Sequence, residues 1–412
     1  MFDPSETDLL FDPWVCSEGP ALAAIAHEVL GRVHNATAKG RTRQRRAEVV
    51  ERETAIVSAL IGNLAVLHRG PKAYRELALP LRHNKLTRYD RQGFGQLSKI
   101  VQAMAEAELV IVNPAHIKHR RTCIQADGWL LQALLKEAAI LGQVGRAEGE
   151  ETIWLTARRG RDGKGVKLRN VPIDYEDTPE TNAMREEMAA ITTFLNAQRI
   201  ELEGERQPAF RLTRRFLLRG PEDPHTFTLH GRLYGGFWES LKKERRAGLR
   251  INGEPIADLD YASMFPRLAY AKVGQEPPQG DLYAIPGLEG QRTAVKIGFS
   301  ALLSGASEMR RLPAELKAAL PEGWTARRFK EAVAAKHPAL VPLFGRDIAL
   351  DLMFTESRVL MAVLRRLMEM DIPALPMHDG IMVPTSKGEV AMRVMEEISL
   401  ELIGLKLPVT VS

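Results

Sequence analysis

One stretch constrains this chain more than any other, residues 256–270 with the sequence IADLDYASMFPRLAY. Asp258 and Asp260 lie in a short apolar run, at the end of a predicted strand, and a turn then leads into a predicted apolar helix. Because side chains alternate along a strand, the two carboxylates point to the same face. Such a strand end can hold a divalent cation. The structural alternative is that the aspartates cap the following helix.

The length, charge and cysteine content of the chain limit the number of domains and the kinds of partner expected. The chain has 412 residues, enough for about two or three domains of ~150 residues each. Its formal net charge of +5 suits a nucleic-acid partner without requiring one. Cys16 and Cys123 have neither metal-ligand spacing nor a disulfide framework, which favours a reducing, cytoplasmic setting. No signal peptide and no apolar run of membrane-spanning length is recognised, so no membrane association is expected.

The first half of the chain indicates a helical domain with a basic hairpin. Helices are predicted over 20–33 and 47–67, and an apolar face at helical spacing runs through 97–105. A hairpin is predicted with strands 152–158 and 165–173, whose basic tip carries Arg159, Arg161 and Lys164. Helix and hairpin together resemble a winged-helix module. We therefore expect an N-terminal, mostly helical, winged-helix-like domain over 1–175 that docks on DNA. The alternative is a surface hairpin whose charges serve solubility.

A predicted helix from residue 179 to about 196 follows, with Pro in its first turn. We assign 176–224 as a helical linker or thumb-like segment that leads to the second domain. That domain begins near the segment HGRL, residues 230–233, where glycines and aromatics suit close backbone approach and stacking.

Two further segments of the C-terminal half carry charged residues that could bind a ligand. Arg292 and Lys296 are four residues apart on a predicted helix and share one face, where an anion between them would relieve their repulsion. His378 and Asp379 occupy a predicted tight turn between two short strands. Each pattern has a structural alternative. Arg292 and Lys296 could form a solvated basic helix face, and His378 and Asp379 a hydrogen-bonded structural turn. The order of the segments along the chain is more specific than any one of them.

That order resembles the right-hand core of family A DNA polymerases, the bacterial DNA polymerase I type. LDYASMFPRLAY is similar to motif A, and its Ser-Met-Phe-Pro also to the family B version; RTAVKIGFSALLSG is similar to motif B, the fingers helix, and MHDGIMVP to motif C. HGRL resembles the Gly-Arg-Leu segment that lies upstream. The resemblance covers roughly residues 225–412, including the final helix and strand. The first half carries no recognisable exonuclease motif of that family.

The resemblance implies a metal centre and a reaction. Asp260 and Asp379 would hold two Mg²⁺ ions, for which Mn²⁺ could substitute, with the carbonyl of Tyr261 as a third ligand. Asp258 stays the rival of Asp260, because both lie on the same strand face. The metals would serve the joining of a 3′-hydroxyl to an α-phosphate with release of pyrophosphate.

The resemblance also implies which residues bind substrate. Arg292 and Lys296 would bind the triphosphate, and Lys296 would be the acid that protonates pyrophosphate. Arg232 would contact the primer–template, and His378 the primer end.

Three positions depart from the family pattern. Phe265 stands where family A has Glu, and a bulky residue there is typical of polymerases that select deoxynucleotides. Ser304 replaces a Tyr that stacks on the templating base, which leaves fidelity and sugar selection open. Gly380 replaces a Glu.

The sequence thus predicts an α+β fold, a right-hand polymerase palm with an antiparallel sheet and helical fingers over 225–412, beside the N-terminal domain. The expected function is a monomeric, template-dependent DNA polymerase of DNA replication or DNA repair, without proofreading, acting on a primed DNA template with dNTP. The alternatives are a single-subunit RNA polymerase or primase-like synthase, and a catalytically silent DNA-binding replication initiator.

Overall fold

The computed structural model describes residues 7–38, 45–70, 74–80, 86–115, 121–160, 168–305 and 307–411. It confirms the α+β class. The helices are α1 (Pro20–Ala36), α2 (Ala47–Arg69), α3 (Leu97–Glu106), α4 (Gly128–Lys136), α5 (Pro179–Asn196), α6 (Lys243–Arg246), α7 (Met264–Lys272), α8 (Arg292–Ser304), α9 (Ala314–Ala319), α10 (Ala326–Lys336), α11 (Ala349–Glu369) and α12 (Gly388–Ile403).

The strands are short, and most of the pairings between them are antiparallel. They are β1 (Thr7–Leu10), β2 (Val15–Ser17), β3 (Tyr74–Ala78), β4 (Val110–Asn113), β5 (Cys123–Ala126), β6 (Val144–Arg146), β7 (Ile153–Ala157), β8 (Val171–Pro172), β9 (Ile200–Leu202), β10 (Glu205–Arg206), β11 (Thr213–Leu218), β12 (His230–Tyr234), β13 (Leu249–Ile251), β14 (Glu254–Tyr261), β15 (Leu375–Met377), β16 (Gly380–Pro384) and β17 (Val409–Val411).

The chain forms two compact units, and each is discontinuous in sequence. The first unit contains Met1–Thr152, Asn196–Arg211 and Ser240–Gly253. The second unit contains the three remaining segments, Ile153–Leu195, Leu212–Glu239 and Glu254–Ser412. The units therefore divide the chain at positions other than the 175 and 225 expected from the sequence. Sequence pattern alone could not show this, because segments far apart in the chain pair within one unit.

The first unit is built on α1 and α2. Ile56, Leu60 and Leu64 repeat every four residues along α2 and are fully buried. They belong to an apolar core that α3, α4 and the sheet β1-β3-β5-β4 complete. In that sheet β1 and β3 are parallel and the other pairs antiparallel.

The second unit contains two sheets that carry several of the residues predicted from the sequence to be functional. The strands β17, β14, β16 and β15 pair in that order, all antiparallel, and we call them the carboxylate sheet because β14 carries both aspartates. The strands β12, β11, β7 and β8 pair in that order and form what we call the basic sheet. Helix α11 packs against β12, and α12 packs against β14. Both helices thereby support strands that carry the predicted functional residues.

The predicted hairpin exists, but it is not the wing of a winged-helix domain. Strands β7 and β8 pair antiparallel as expected. However, β7 also pairs in parallel with β11 and is an interior strand of the basic sheet. Helix α3 belongs to the first unit and the hairpin to the second. The grouping of helix and hairpin into one winged-helix-like module is corrected accordingly, because β7 finds its apolar partners in β11 rather than in α3.

Both cysteines are free thiols, Cys16 half-buried and Cys123 buried. In the described ranges, no helix combines the length and apolarity needed to cross a membrane.

Candidate active site

The carboxylate sheet brings Asp260 beside the turn that holds Asp379. The register pairs Asp260 with Gly380 and Asp258 with Met382. The backbone N–H of Tyr261 donates to the carbonyl oxygen of Asp379 at 3.1 Å. Because strands rise about 3.3 Å per residue, Asp258 lies roughly 7 Å further from the turn than Asp260. Of the two aspartates, Asp260 is therefore the neighbour of Asp379.

Gly380 makes room for the Asp260 carboxylate. A Cβ atom at position 380 would clash with Oδ1 of Asp260 and would lie 2.5 Å from the carbonyl oxygen of Leu259. The Asp260 side chain thus lies directly over the Gly380 backbone. The glycine at position 380 has a steric reason, since any side chain there would displace the Asp260 carboxylate.

The turn between β15 and β16 consists of His378 and Asp379 alone. His378 has φ of 45°, in the left-handed region that costs a residue with a Cβ about 1 kcal/mol or more. Its ring contacts the Tyr234 ring edge-on, with centroids 5.6 Å apart. Burial, followed by the charge of Arg232, lowers the pKa of His378. His378 is therefore neutral near pH 7 and held beside Tyr234.

Arg232 is anchored by a buried carboxylate rather than free in solvent. Its Nε donates to Oε1 of Glu356 at 2.6 Å, and its Nη2 to Oε2 at 2.9 Å. Glu356 lies on α11 with only 1% of its side chain exposed. The guanidinium also lies 5.7 Å from the centroid of the Phe265 ring. A bidentate pair of this kind fixes the plane of the guanidinium and its position beside Phe265.

The electrostatics tie this pair to the turn. Burial raises the pKa of Glu356 to about 7, Arg232 opposes that shift, and Asp379 adds to it. Burial lowers the pKa of Arg232, whereas the negative charges of Glu356 and, to a smaller extent, Asp379 raise it. The charge interactions outweigh burial, so the pKa of Arg232 is raised. Arg232, Glu356 and Asp379 therefore lie within range of one another's charges, and Arg232 partly neutralises both carboxylates.

Helix α8 presents the two predicted cations on its exposed side. Arg292 and Lys296 are both exposed. Nε of Arg292 donates to Oδ2 of Asp281 at 2.9 Å, so the repulsion between the two cations is offset by a protein carboxylate. Among the described residues Lys296 forms no ion pair. Ser304 ends the helix with its hydroxyl donating to the carbonyl oxygen of Ser300 at 2.6 Å, where a longer aromatic side chain would project outward.

Tyr283 links this helix to the turn. The guanidinium of Arg292 lies 5.0 Å from the centroid of its ring. Burial raises the pKa of Tyr283 to about 12, with Arg292 opposing the shift and Asp379 adding to it. The charges of Arg292 and Asp379 therefore both reach one buried phenol.

The side chain of Tyr261 has a structural role. Its hydroxyl donates to the carbonyl oxygen of Met395 on α12 at 2.6 Å, and the ring is buried. Burial raises the pKa of this phenol far above its ordinary value. Only the backbone of Tyr261 remains for the role suggested from the sequence, a carbonyl ligand.

The predicted duplex-binding residues of the hairpin are only partly described. Arg159 is exposed, as expected, whereas Arg161 and Lys164 lie outside the described residues. The neighbouring Arg158 forms an ion pair within the protein, with its Nη1 3.0 Å from Oδ2 of Asp347. Arg219 pairs with the same carboxylate at 3.3 Å. Asp347 thus joins β7, β11 and the start of α11.

Sequence reasoning missed Glu356 and Tyr283. Glu356 lies on α11 among apolar residues, and a charged residue inside a predicted core stripe was the available signal. Tyr283 lies in a loop without periodicity, and nothing in its neighbourhood distinguishes it. Both acquire their place near the turn only through tertiary contacts.

Among the described residues, one group of three possible metal ligands occurs in the first unit. Asp8, Glu76 and Cys123 each place a ligand atom within 4.8 Å of the others. Arg75 pairs with Asp8 at 3.3 Å and with Glu76 at 3.7 Å, and Asn113 donates to Glu76. These contacts already neutralise the carboxylates, so the cluster is explained as a buried polar network.

No protein-family model and no curated protein matches this chain.

Proposed function

We propose that the chain is a template-dependent DNA polymerase that adds dNTPs to a 3′-hydroxyl with the help of two Mg²⁺ ions. The observation that carries the proposal is the pairing of Asp260 with Gly380, next to Asp379, at the end of an antiparallel sheet. Asp260 at a strand end and Asp379 in the adjoining turn offer two carboxylates, and a two-metal centre requires such a pair. The α+β architecture and the order of motifs along residues 225–412 add to this support.

The residues present fit a Mg²⁺ centre by their chemistry. Carboxylate and carbonyl oxygens are the ligands that Mg²⁺ prefers. Asp260 and Asp379 would supply the carboxylates and Tyr261 a carbonyl. The missing side chain at Gly380 leaves the Asp260 carboxylate directly over the turn. When bound, the two ions would activate the attacking hydroxyl and neutralise charge on the leaving pyrophosphate.

The protein's own cations would position the nucleotide. Arg292 and Lys296 are exposed and lie four residues apart on α8, so they share one side of the helix and would contact adjacent phosphates. Arg292 would exchange its contact with Asp281 for a triphosphate oxygen, while Lys296 would hold a proton for the leaving group. Exposed carboxylate partners are weakly held, so this exchange costs little.

Phe265 would select the sugar. Its half-buried ring extends from α7 and lies beside the guanidinium of Arg232, which Glu356 fixes. A bulky ring in a fixed position would exclude a ribose 2′-hydroxyl and favour dNTP over NTP. The neutral His378 beside Tyr234 would contact the primer end.

Extension of a primed DNA template, with each nucleotide set and with or without Mg²⁺, tests the proposal. Asp260→Asn and Asp379→Asn should each lower extension by about 10²-fold or more while DNA binding persists, because each removes one charge that the transition state needs. Asp371→Asn is the matched control. Asp371 is an exposed aspartate with φ of 55°, a conformation that Asn also tolerates.

The same experiment separates the rival functions. An equal loss of primer extension in Asp371→Asn would contradict the assignment of Asp260 and Asp379 as metal ligands. Loss of extension in Asp258→Asn with full activity in Asp260→Asn would transfer the metal ligand to Asp258. Strong NTP incorporation on an unprimed template would instead indicate an RNA polymerase or primase-like synthase. DNA binding without any extension by the wild-type chain would indicate a silent replication initiator.

A further inference from the structure

The outer face of the basic sheet carries a row of stacked cationic and aromatic side chains. Leu155, Phe216 and Leu233 of its three adjacent strands are buried on the inner face. The alternating residues therefore lie on the outer face. We call four of them the stacking row, which consists of Trp154, Arg215, Tyr234 and His230.

The stacking row is held in place by close contacts. The guanidinium of Arg215 lies 5.4 Å from the centroid of the Trp154 ring and 4.9 Å from that of Tyr234. The ring of Tyr234 is stacked on His230 with an interplanar angle of 4°. Nδ1 of His230 lies 2.8 Å from the carbonyl oxygen of Arg215, which fixes the end of the row. Flat groups thus follow one another across three strands in fixed orientations.

Arg215 keeps hydrogen-bonding capacity for a ligand. Its Nε donates to Oγ1 of Thr213 at 3.3 Å. Within the part of the chain that the structure describes, its terminal nitrogens donate to no acceptor. The carboxylate of Glu239, also a described residue, forms no ion pair with Arg215 and accepts instead from the backbone N–H of Gly236 at 2.9 Å. An exposed guanidinium with unused donors is suited to a phosphate group.

We infer that the stacking row binds single-stranded nucleic acid, with a base packed against Trp154 and a phosphate on Arg215. Aromatic side chains beside cations are the general means of binding unpaired strands, because every base offers a π-face and every nucleotide a phosphate. A duplex exposes its phosphates but keeps its bases stacked on one another, so it offers no π-face to a flat sheet face. The ligand is therefore an unpaired strand.

This inference rests on the proposed function for its position and extends it to the template strand. Tyr234 of the stacking row contacts His378, the neighbour of Asp379, so the row begins at the candidate active site. Arg215 pairs with Arg232 and with Trp154 in the strand register. Trp154 is therefore two strand spacings, about 10 Å, from Arg232. The row would hold unpaired template leading to or from the reacting end.

Fluorescence anisotropy with a labelled oligo-dT, titrated with the full chain, tests the inference. Trp154→Ala should weaken binding by about 5- to 100-fold, the range for loss of one stacked base. Arg215→Gln should weaken binding and reduce the slope of log affinity against log salt by about 0.7. Trp154→Phe should keep most of the affinity. It should also lose the oligonucleotide-induced quenching of tryptophan fluorescence, because the stacked indole is gone.

A second stacked pair in the same unit supplies the matched control. Trp324 is half-buried, with the guanidinium of Arg328 lying 4.4 Å from its ring centroid, and it belongs to neither sheet. Trp324→Ala and Arg328→Gln should leave oligo-dT affinity unchanged. Equal losses in the two tryptophan variants would overturn the inference, as would duplex DNA or heparin binding that shows the same dependence on Trp154.

The outcomes for the two proposals are separable, because oligo-dT binding needs no nucleotide addition. Trp154-dependent binding by a wild-type chain that extends no primer would support the stacking row and defeat the polymerase. Metal-dependent extension with no effect of Trp154→Ala on binding would support the polymerase and defeat the stacking row.

Discussion

At the scale of single residues, Gly380 shows how one missing side chain determines the candidate site. The Asp260 carboxylate lies where a Cβ of residue 380 would lie, and the Leu259 carbonyl oxygen is only 2.5 Å from that point. The backbone oxygen cannot move without breaking the pairing of β14 and β16. Gly380→Ala should therefore lower the free energy of unfolding by about 1–3 kcal/mol, the usual cost of overpacking.

Urea denaturation of the purified variants measures that loss. Gly388→Ala is the control, since its added Cβ would lie 3.4 Å from Cβ of Ala257, an ordinary contact, at the start of a helix. Alanine is favoured over glycine in helices, so this variant should match or slightly exceed the wild type. Equal effects of the two substitutions would show that the close approach at Gly380 is not strained.

At the scale of elements, His337 joins α7, α10 and a loop. It is fully buried, with Nδ1 3.1 Å from the hydroxyl of Tyr270 and Nε2 2.8 Å from the carbonyl oxygen of Leu282. The neutral ring that donates from Nε2 and accepts at Nδ1 satisfies both contacts. Burial lowers the pKa of His337 below its ordinary value near 6.5.

The direction of the resulting pH effect follows from linkage. Because the folded pKa is lower than the unfolded one, the unfolded chain binds more protons below about pH 6.5. The wild-type chain should lose stability from pH 7.5 to 5.5 by up to about 1.4 kcal/mol per pH unit for this one proton. His337→Gln should lose less over the same interval. Urea titrations at both pH values measure this, with His225→Gln, an exposed histidine, as control. An identical pH dependence in all three proteins would contradict the assignment.

At the scale of the whole molecule, the discontinuous units decide which fragments can fold. Strand β7 is an interior strand of the basic sheet, and Ile153, Leu155 and Ala157 are all fully buried. A fragment of residues 176–412 lacks this strand and exposes an edge of β11, whereas residues 153–412 keep it. The longer fragment should unfold cooperatively, as followed by circular dichroism, and the shorter one should not. The comparison is matched, because both fragments contain the same segments of the first unit. Equal cooperativity would show that β7 is dispensable.

Local sequence patterns were sufficient to predict several individual helices and strands. Apolar patterning predicted α1 and α2, and a helix-start signal with Pro in the first turn predicted α5, all within a few residues. The β15–β16 hairpin around His378 and Asp379 was also predicted. The placement of Asp258 and Asp260 on one strand before a helix is confirmed. These features depend on the backbone and on nearest neighbours, which local patterns encode.

Which of these helices and strands contact one another depends on the tertiary structure. It paired β7 with β11 instead of grouping the hairpin with α3, because β pairing over long sequence separations leaves no local signature. It set Asp260 rather than Asp258 beside the turn, through a register of β14 and β16 that no local pattern fixes. It also supplied Glu356 to Arg232, since a buried charge finds its partner only when the core closes around both.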